Sequence, residues 1–193
     1  GGDVKTFTTL GEIPANFGPT AVTVGKFDGI HIGHRRMIER LLTESRKLSL
    51  VPTVLTFDRN PLSVFAPEAC PPSLVSNAQK LELLAQLGVE ATLMMTFDRA
   101  LREQTAKDFV TSALVDALQA QVVYVGPDFR YGLGGKGDVA LMDELGRTHG
   151  FEVRHFSNVE REGRRVSSTW VRELLAAGEV REAGRLLGRF PAV

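Results

Sequence analysis

Five short apolar segments, each bounded by turn residues, recur along the chain: AVTVG (21–25), PTVLTF (52–57), ATLMMTF (91–97), QVVYVG (121–126) and FEVRHF (151–156). Their β-branched content marks them as strands, and their near-continuous apolarity places them in a sheet buried on both faces. Between them lie stretches of helical period. Met37, Ile38, Leu41, Leu42 and Leu48 form one apolar stripe, while Glu39, Arg40, Glu44 and Lys47 take the other side. Similar patterns cover 79–87, 106–118, 139–149 and 169–187, the last predicted to break at Gly178. Strands alternating with helices imply crossovers of one hand and a parallel sheet. The expected fold class is α/β, a doubly wound Rossmann-like parallel sheet with helices on both faces. At 193 residues the chain has the length of one ordinary domain.

Lys+Arg and Asp+Glu each total 23, so the net charge is +0 and no overall field steers nucleic acid or anionic membranes. Any phosphate site must be local. One cysteine, Cys70, excludes an internal disulfide framework and a cysteine zinc cluster. No apolar run approaches the roughly 20 residues that span a bilayer, and the start (GGDVKTFTTL) lacks signal-peptide features. A cytoplasmic location is expected. Gly1 and Gly2 read as foreign to the native chain. The stretch 58–76, with Pro61, Pro67, Pro71 and Pro72, reads as a long irregular connection, either a binding element or mobile cover, or a surface excursion without a role.

The most informative run is VTVGKFDGIHIGH (22–34), where the first strand turns into the first helix. In an open α/β sheet, ligands bind beyond the carboxyl ends of the strands, where a helix N-terminus offers free amides and a positive dipole end. Gly25 and Gly29 permit tight backbone geometry, and Gly33 lets a ligand approach the first turn. His31 and His34, three apart, can project from one side and donate to phosphoryl oxygens as charge builds up. A lone histidine would read as structural, but two with glycine between them after a strand read as a site. Further on, Ser167, Ser168 and Thr169 precede a helical pattern, which they can cap while offering donors to phosphate. Arg172, one turn later, supplies a guanidinium fork. Taken alone, that motif reads equally as a common cap followed by a surface arginine. GLGGKG (132–137) fits GxGxxG but starts several residues after the strand ends at Gly126, and Lys136 precedes Gly137 where a P-loop needs Ser or Thr. Neither a nicotinamide fingerprint nor a P-loop is expected.

HIGH (31–34) resembles the HxGH signature of the nucleotidyltransferase superfamily, whose members attack the α-phosphorus of a nucleoside triphosphate and release pyrophosphate. The longer GKFDGIHIGH (25–34) resembles the adenylyltransferase (FAD synthetase) module of bacterial bifunctional riboflavin kinase/FMN adenylyltransferases. Further matches follow in order: TFDRNPLSVF (56–65), VGPDFRYGLGGKGD (125–138), VSSTWVRELLAAGEV (166–180) and LLGR (186–189). Class I aminoacyl-tRNA synthetases also contain HIGH, but this chain has no KMSKS-like run and no net basic charge for tRNA.

The resemblance implies FMN adenylyltransferase activity, ATP + FMN to FAD + pyrophosphate. It assigns His31 and His34 to the transition-state charge and Ser168, Thr169 and Arg172 to the β- and γ-phosphates, with Arg165 nearby. Gly25 and Phe27 fall on the adenosine side, in the turn shared by Asp28 and Gly33. The segment holding Asn60, together with Phe65, falls on the flavin side, and Asp128 at the nucleotide or the Mg²⁺ hydration shell. Mg²⁺ is expected to bridge phosphate oxygens and keep its waters, since the sequence offers no carboxylate cage. Asn60 replaces the family's common His, Arg59 its Pro, Pro127 its Glu and Tyr131 its Phe, departures that bear on acceptor affinity. The resemblance makes 1–193 a single nucleotidyltransferase domain without the family's riboflavin kinase domain, which either is fused to it natively and missing from this sequence or is replaced by a separate protein that makes FMN. The alternatives are an adenylyl- or cytidylyltransferase acting on another phosphorylated acceptor, and a flavin- or nucleotide-binding regulator without turnover.

Overall fold

The computed structural model describes residues 4–189, so Gly1 and Gly2 lie outside the described residues. Six strands form one sheet: β1 Lys5–Phe7, β2 Thr20–Val24, β3 Val51–Phe57, β4 Ala91–Met95, β5 Ala120–Val125 and β6 Glu152–His155. Their order is β1-β4-β3-β2-β5-β6, and every pairing is parallel. All five expected strands are present. β1 carries only KTF, too short for a sequence pattern, and adds to the edge beside β4. β6 is also an edge strand, with Glu152 and His155 exposed, so the expected burial on both faces fails there.

The central strands sort their side chains by twos. Val22, Val24, Leu55, Phe57, Val123 and Val125 face one core, while Ala21, Val54, Val122 and Tyr124 face the other. The second core is closed by α1 Ile32–Leu48, through Met37, Ile38 and Leu41, and by the later helix Asn77–Leu87, through Leu84. The first is closed by Ala106–Phe109, its continuation Val110–Ala117, and Val139–His149, through Phe109, Val110, Leu114, Met142 and Leu145. The chain runs outward from β2 through β3 to β4, then returns to β5 and runs the other way to β6. Crossovers of one hand must then change face, which is why two helices cover each side. The reversal between β2 and β5 opens a crevice at the carboxyl ends of those strands.

Details depart from expectation. Leu48, assigned to the buried stripe of α1, is half-exposed, because the helix ends there at Ser49, whose φ is +56°. The expected helix 106–118 becomes a π-helix over Val110–Ala117, closed by Leu118 N–H donating to the Ala113 carbonyl at 3.0 Å. The irregular stretch 58–76 holds a short helix, α2 Leu62–Phe65, and a 3₁₀ turn, Pro67–Ala69. The next helices are then α3 Asn77–Leu87, α4 Arg99–Glu103, α5 Ala106–Phe109, α6 Val139–His149, α7 Ser168–Ala176 and α8 Val180–Leu187. As expected, α7 and α8 are separated at Gly178, whose φ is +77°. A small hairpin, β7 Glu160–Arg161 with β8 Arg164–Arg165, turns through Glu162 and Gly163, both with positive φ. Val159, Val166, Val171, Ala183, Leu186 and Leu187 form a third, smaller core that sets α7 and α8 beside the crevice.

Candidate active site

A cavity of about 840 Å³ occupies the crevice. His31, His34, Ser168, Thr169, Arg172, Gly25, Phe27, Asp28, Gly33, Asn60, Phe65, Asp128 and Arg165 all line it. Segments far apart in sequence therefore converge as the motifs predict.

The wall formed by the turn after β2 is strained and braced. Phe27, Gly29 and Ile30 adopt φ of +51°, +81° and +43°. For the two non-glycine residues such backbone costs roughly 1–3 kcal/mol each and persists only where the surroundings over-determine it. His31 then caps α1: its Nδ1 accepts from Gly33 N–H at 3.1 Å and His34 N–H at 3.4 Å. A nitrogen that accepts cannot carry the proton, so the neutral ring holds its N–H on Nε2. Burial, with Arg165 adding repulsion, lowers the His31 pKa to about 4. The His34 ring stacks on that of His31 at 3.8 Å between centroids and meets the edge of Phe27 at 5.1 Å. Burial, then His31 and Lys80, push His34 well below the usual histidine range, and its Nδ1 is sealed from solvent without a partner. Both imidazoles are thus neutral donors at physiological pH.

Two glycines act differently from expectation. A Cβ on Gly33 would stand 2.9 Å from His31 Cε1 and 3.0 Å from its Nδ1, so this glycine makes room for the capping imidazole, not for a ligand alone. Gly25 is absent from the positive-φ positions, and its missing Cβ leaves space for the Phe27 ring, 3.3 Å away.

The opposite wall is the N-terminus of α7. Ser167 is the N-cap, accepting from Trp170 N–H at 3.1 Å, which leaves Ser168 and Thr169 in the first turn. Ser168 Oγ donates to the Asp28 carbonyl at 2.5 Å. Arg172 pairs with the Asp28 carboxylate and donates through Nε to the Pro72 carbonyl at 3.0 Å. Asp28 also accepts from Leu74 N–H at 2.9 Å. Its carboxylate therefore ties the first turn, the 58–76 segment and α7 together. Arg165, on β8, pairs with Asp128 after β5 across the cavity mouth.

The remaining wall is aromatic. Phe57, Phe65, Phe97, Phe109, Phe129 and Tyr131 line it. Asn60 Oδ1 accepts from Leu62 N–H at 3.0 Å and so starts α2, which carries Phe65. Phe65 is 45% exposed, lies 6.0 Å from Phe97, and has the Arg102 guanidinium 4.5 Å from its ring centre. One aromatic face is already taken by that cation. The glycine-rich 132–137 loop also borders the cavity, pinned where a Cβ on Gly132 would come within 2.5 Å of the Ala106 backbone. It lies late in the connection from β5 to α6 and holds a 3₁₀ turn, Leu133–Gly135.

Sequence reasoning missed Lys80. This α3 side chain is only 7% exposed, and its Nζ donates to the carbonyls of Lys26 at 2.9 Å and Phe57 at 3.2 Å. A signal existed: Lys80 shares the helical stripe of Leu83, Leu84 and Leu87, where a lysine is out of place. The aromatic wall beyond Phe65 was missed as well, because Phe97 and Phe109 come from elements without a motif.

Among the described residues no group of three or more His, Cys, Asp or Glu could hold a metal ion. Asp28 and Asp128 are the acidic side chains lining the cavity, and both are engaged with arginines. Such a donor set fits a cation that arrives on phosphate oxygens and keeps its water.

A six-stranded parallel sheet, with the starts of α1 and α7 facing the cavity at its reversal point, defines an α/β fold that solved structures share. A pantothenate synthetase from Thermus thermophilus shares the fold at TM-score 0.53 and 17% identity, over 96% of this chain and 81% of that one. A structure titled macrolide-efflux protein, from Streptococcus pneumoniae, superposes with TM-score 0.82 and 28% identity, over 97% of this chain and 72% of that one. Among the described residues here, no helix is long and apolar enough to cross a membrane. The FAD synthetase family model matches residues 13–170. The bifunctional riboflavin kinase/FMN adenylyltransferase of Escherichia coli (strain K12) is 38% identical over 167 residues, 86% of this chain and 53% of that protein. The chain spans about half the length of the curated relatives it matches, and it belongs to the FAD synthetase family.

Proposed function

We propose that this chain is an FMN adenylyltransferase, joining ATP and FMN to give FAD and pyrophosphate. The observation that carries the reading is the convergence of the His31–His34 stack and the α7 start on one cavity whose third wall is aromatic. An FMN phosphate oxygen attacks the α-phosphorus of ATP, a new P–O bond forms, and the bond to the bridging β-phosphate oxygen breaks, releasing pyrophosphate. The nucleophile is already anionic, so no base is needed and the protein's task is alignment and charge stabilisation. His31 Nε2–H and the His34 ring donate to oxygens that gain charge in the transition state. Ser168, Thr169 and Arg172 hold the departing pyrophosphate, which requires Arg172 to share or exchange its Asp28 and Pro72 contacts. The backbone at Gly25, Phe27, Asp28 and Gly33 takes the adenosine side, and Arg165 and Asp128 guard the mouth. Phe65 and the Asn60 segment receive the flavin.

Mg²⁺ would enter with the triphosphate and neutralise part of its charge, with Asp128 placed to contact its water shell. The names of the relatives support a native fusion to a riboflavin kinase domain; a cytoplasmic setting, with neither nucleic acid nor membrane as partner, is proposed on the zero net charge and the single cysteine of the sequence. The deciding experiment incubates the protein with Mg²⁺, ATP or CTP, and FMN or other phosphorylated acceptors, then separates the products. FAD and pyrophosphate are expected. Transfer to another acceptor with FMN inert would assign a different nucleotidyltransferase, and tight binding without pyrophosphate would assign a regulator.

A further inference from the structure

Four carbonyls of the turn that delivers His31, those of Lys26, Asp28, Gly29 and Ile30, are held by side chains from elsewhere. Thr56 Oγ1 and Lys80 Nζ donate to Lys26 O at 3.0 and 2.9 Å, and Ser168 donates to Asp28 O. Arg189 donates to Gly29 O at 2.6 Å and to Ile30 O at 2.9 Å. Lys80 and Arg189 do not line the cavity, so they grip the turn without reaching a substrate.

We propose that Lys80 and Arg189 are positioning residues, a two-sided clamp that keeps the turn in the conformation presenting His31 and His34 to the triphosphate. The inference rests on the nucleotidyltransferase reading of this site. Ile30 at φ +43° is β-branched and would relax toward negative φ if its carbonyl were released. On one side, Lys80 links Lys26 to Phe57 at the end of β3, joining the nucleotide wall to the start of the acceptor segment. Burial, opposed by Asp58, lowers the Lys80 pKa to about 8, so at neutral pH the group is still an ammonium able to donate to both carbonyls at once. On the other side, the LLGR motif acquires a physical meaning. Leu186 and Leu187 are buried in the third core, and Gly188 ends α8 at φ +73°. A Cβ on Gly188 would lie 3.3 Å from Ile32 and 3.4 Å from Arg35, so glycine lets the chain lie against the start of α1 and Arg189 reach the turn.

The test combines steady-state kinetics with the proton NMR signals of the stacked imidazoles, using Lys80→Gln, Arg189→Gln and Arg189→Lys. Each Gln variant should move the His31 and His34 ring signals away from their stacked positions and lower kcat for FAD formation about tenfold or more. The KM for ATP should change less than about threefold, since no substrate contact is lost. Arg189→Lys should recover part of both. Folded variants with unshifted ring signals and kcat within about twofold of the parent would overturn the clamp. If Lys80→Gln does not fold, Arg189→Gln decides by the same readouts. The ring signals need no substrate, so the clamp stands or falls separately from the choice of acceptor.

Discussion

The nucleotide wall and the acceptor wall of the cavity are made in different ways. Around His31 every element is fixed: a stacked ring pair, a capped helix, carbonyls held by four side chains, and a glycine whose absent Cβ the ring fills. Around Phe65 there is a four-residue helix, one hydrogen bond to Asn60 and an exposed ring beneath an arginine. Bond making tolerates little displacement, whereas holding a flat apolar ring needs area more than exact placement. On the proposed function, the bracing contacts are concentrated where bonds change.

Four experiments press on this contrast. The largest effect is expected for His34→Ala, which removes a positioned donor and should cost about 3 kcal/mol in transition-state stabilisation, roughly a hundredfold in kcat. Near-normal FAD formation by that variant would remove the histidine from the chemistry. The second concerns acid. The folded pKa of His31 lies near 4, below its unfolded value near 6.5, so between those values the unfolded chain binds more protons and stability falls as pH falls. Urea unfolding should show up to roughly 3 kcal/mol more acid loss for the parent than for His31→Asn, which keeps a capping side chain and does not titrate. Parallel pH curves would show that the imidazole is not held neutral by burial. Third, Gly33→Ala should displace the His31 ring, costing about 1–2 kcal/mol of stability through the lost cap together with most of the turnover. An unchanged melting temperature would contradict the space-filling role. The smallest effect falls on the acceptor wall: Phe65→Ala should weaken FMN binding by about 1 kcal/mol and leave ATP binding unchanged, as titration of each ligand can measure. Equal losses for both ligands would mean that the two walls are not independent.

The sheet, its central helices and the cavity residues were legible because they follow from periodicity and from contiguous motifs. The apolar runs 52–57 and 121–126 could hardly be anything but central strands, and HIGH at a strand-to-helix turn could hardly lie away from the switch point. What escaped depends on contacts between distant segments. β1 exists because β4 offers an edge, and no three-residue pattern announces that. The π-helix follows from the i to i−5 bond at Leu118, which propensity does not encode. The engagement of Arg172 by Asp28, and the caging of Lys80 under two strand ends, belong to the same category.

One pairing also bears on how the protein is made. Asp28 and Arg172 are 144 positions apart, and Ser168 reaches Asp28 across 140. Contacts of such separation form late in folding, since the intervening loop must be closed before they reward it. On the ribosome, the imidazole turn emerges long before α7, so a nascent chain can assemble most of its sheet while lacking the proposed pyrophosphate seat. The cavity gains its second wall only when α7 and α8 dock.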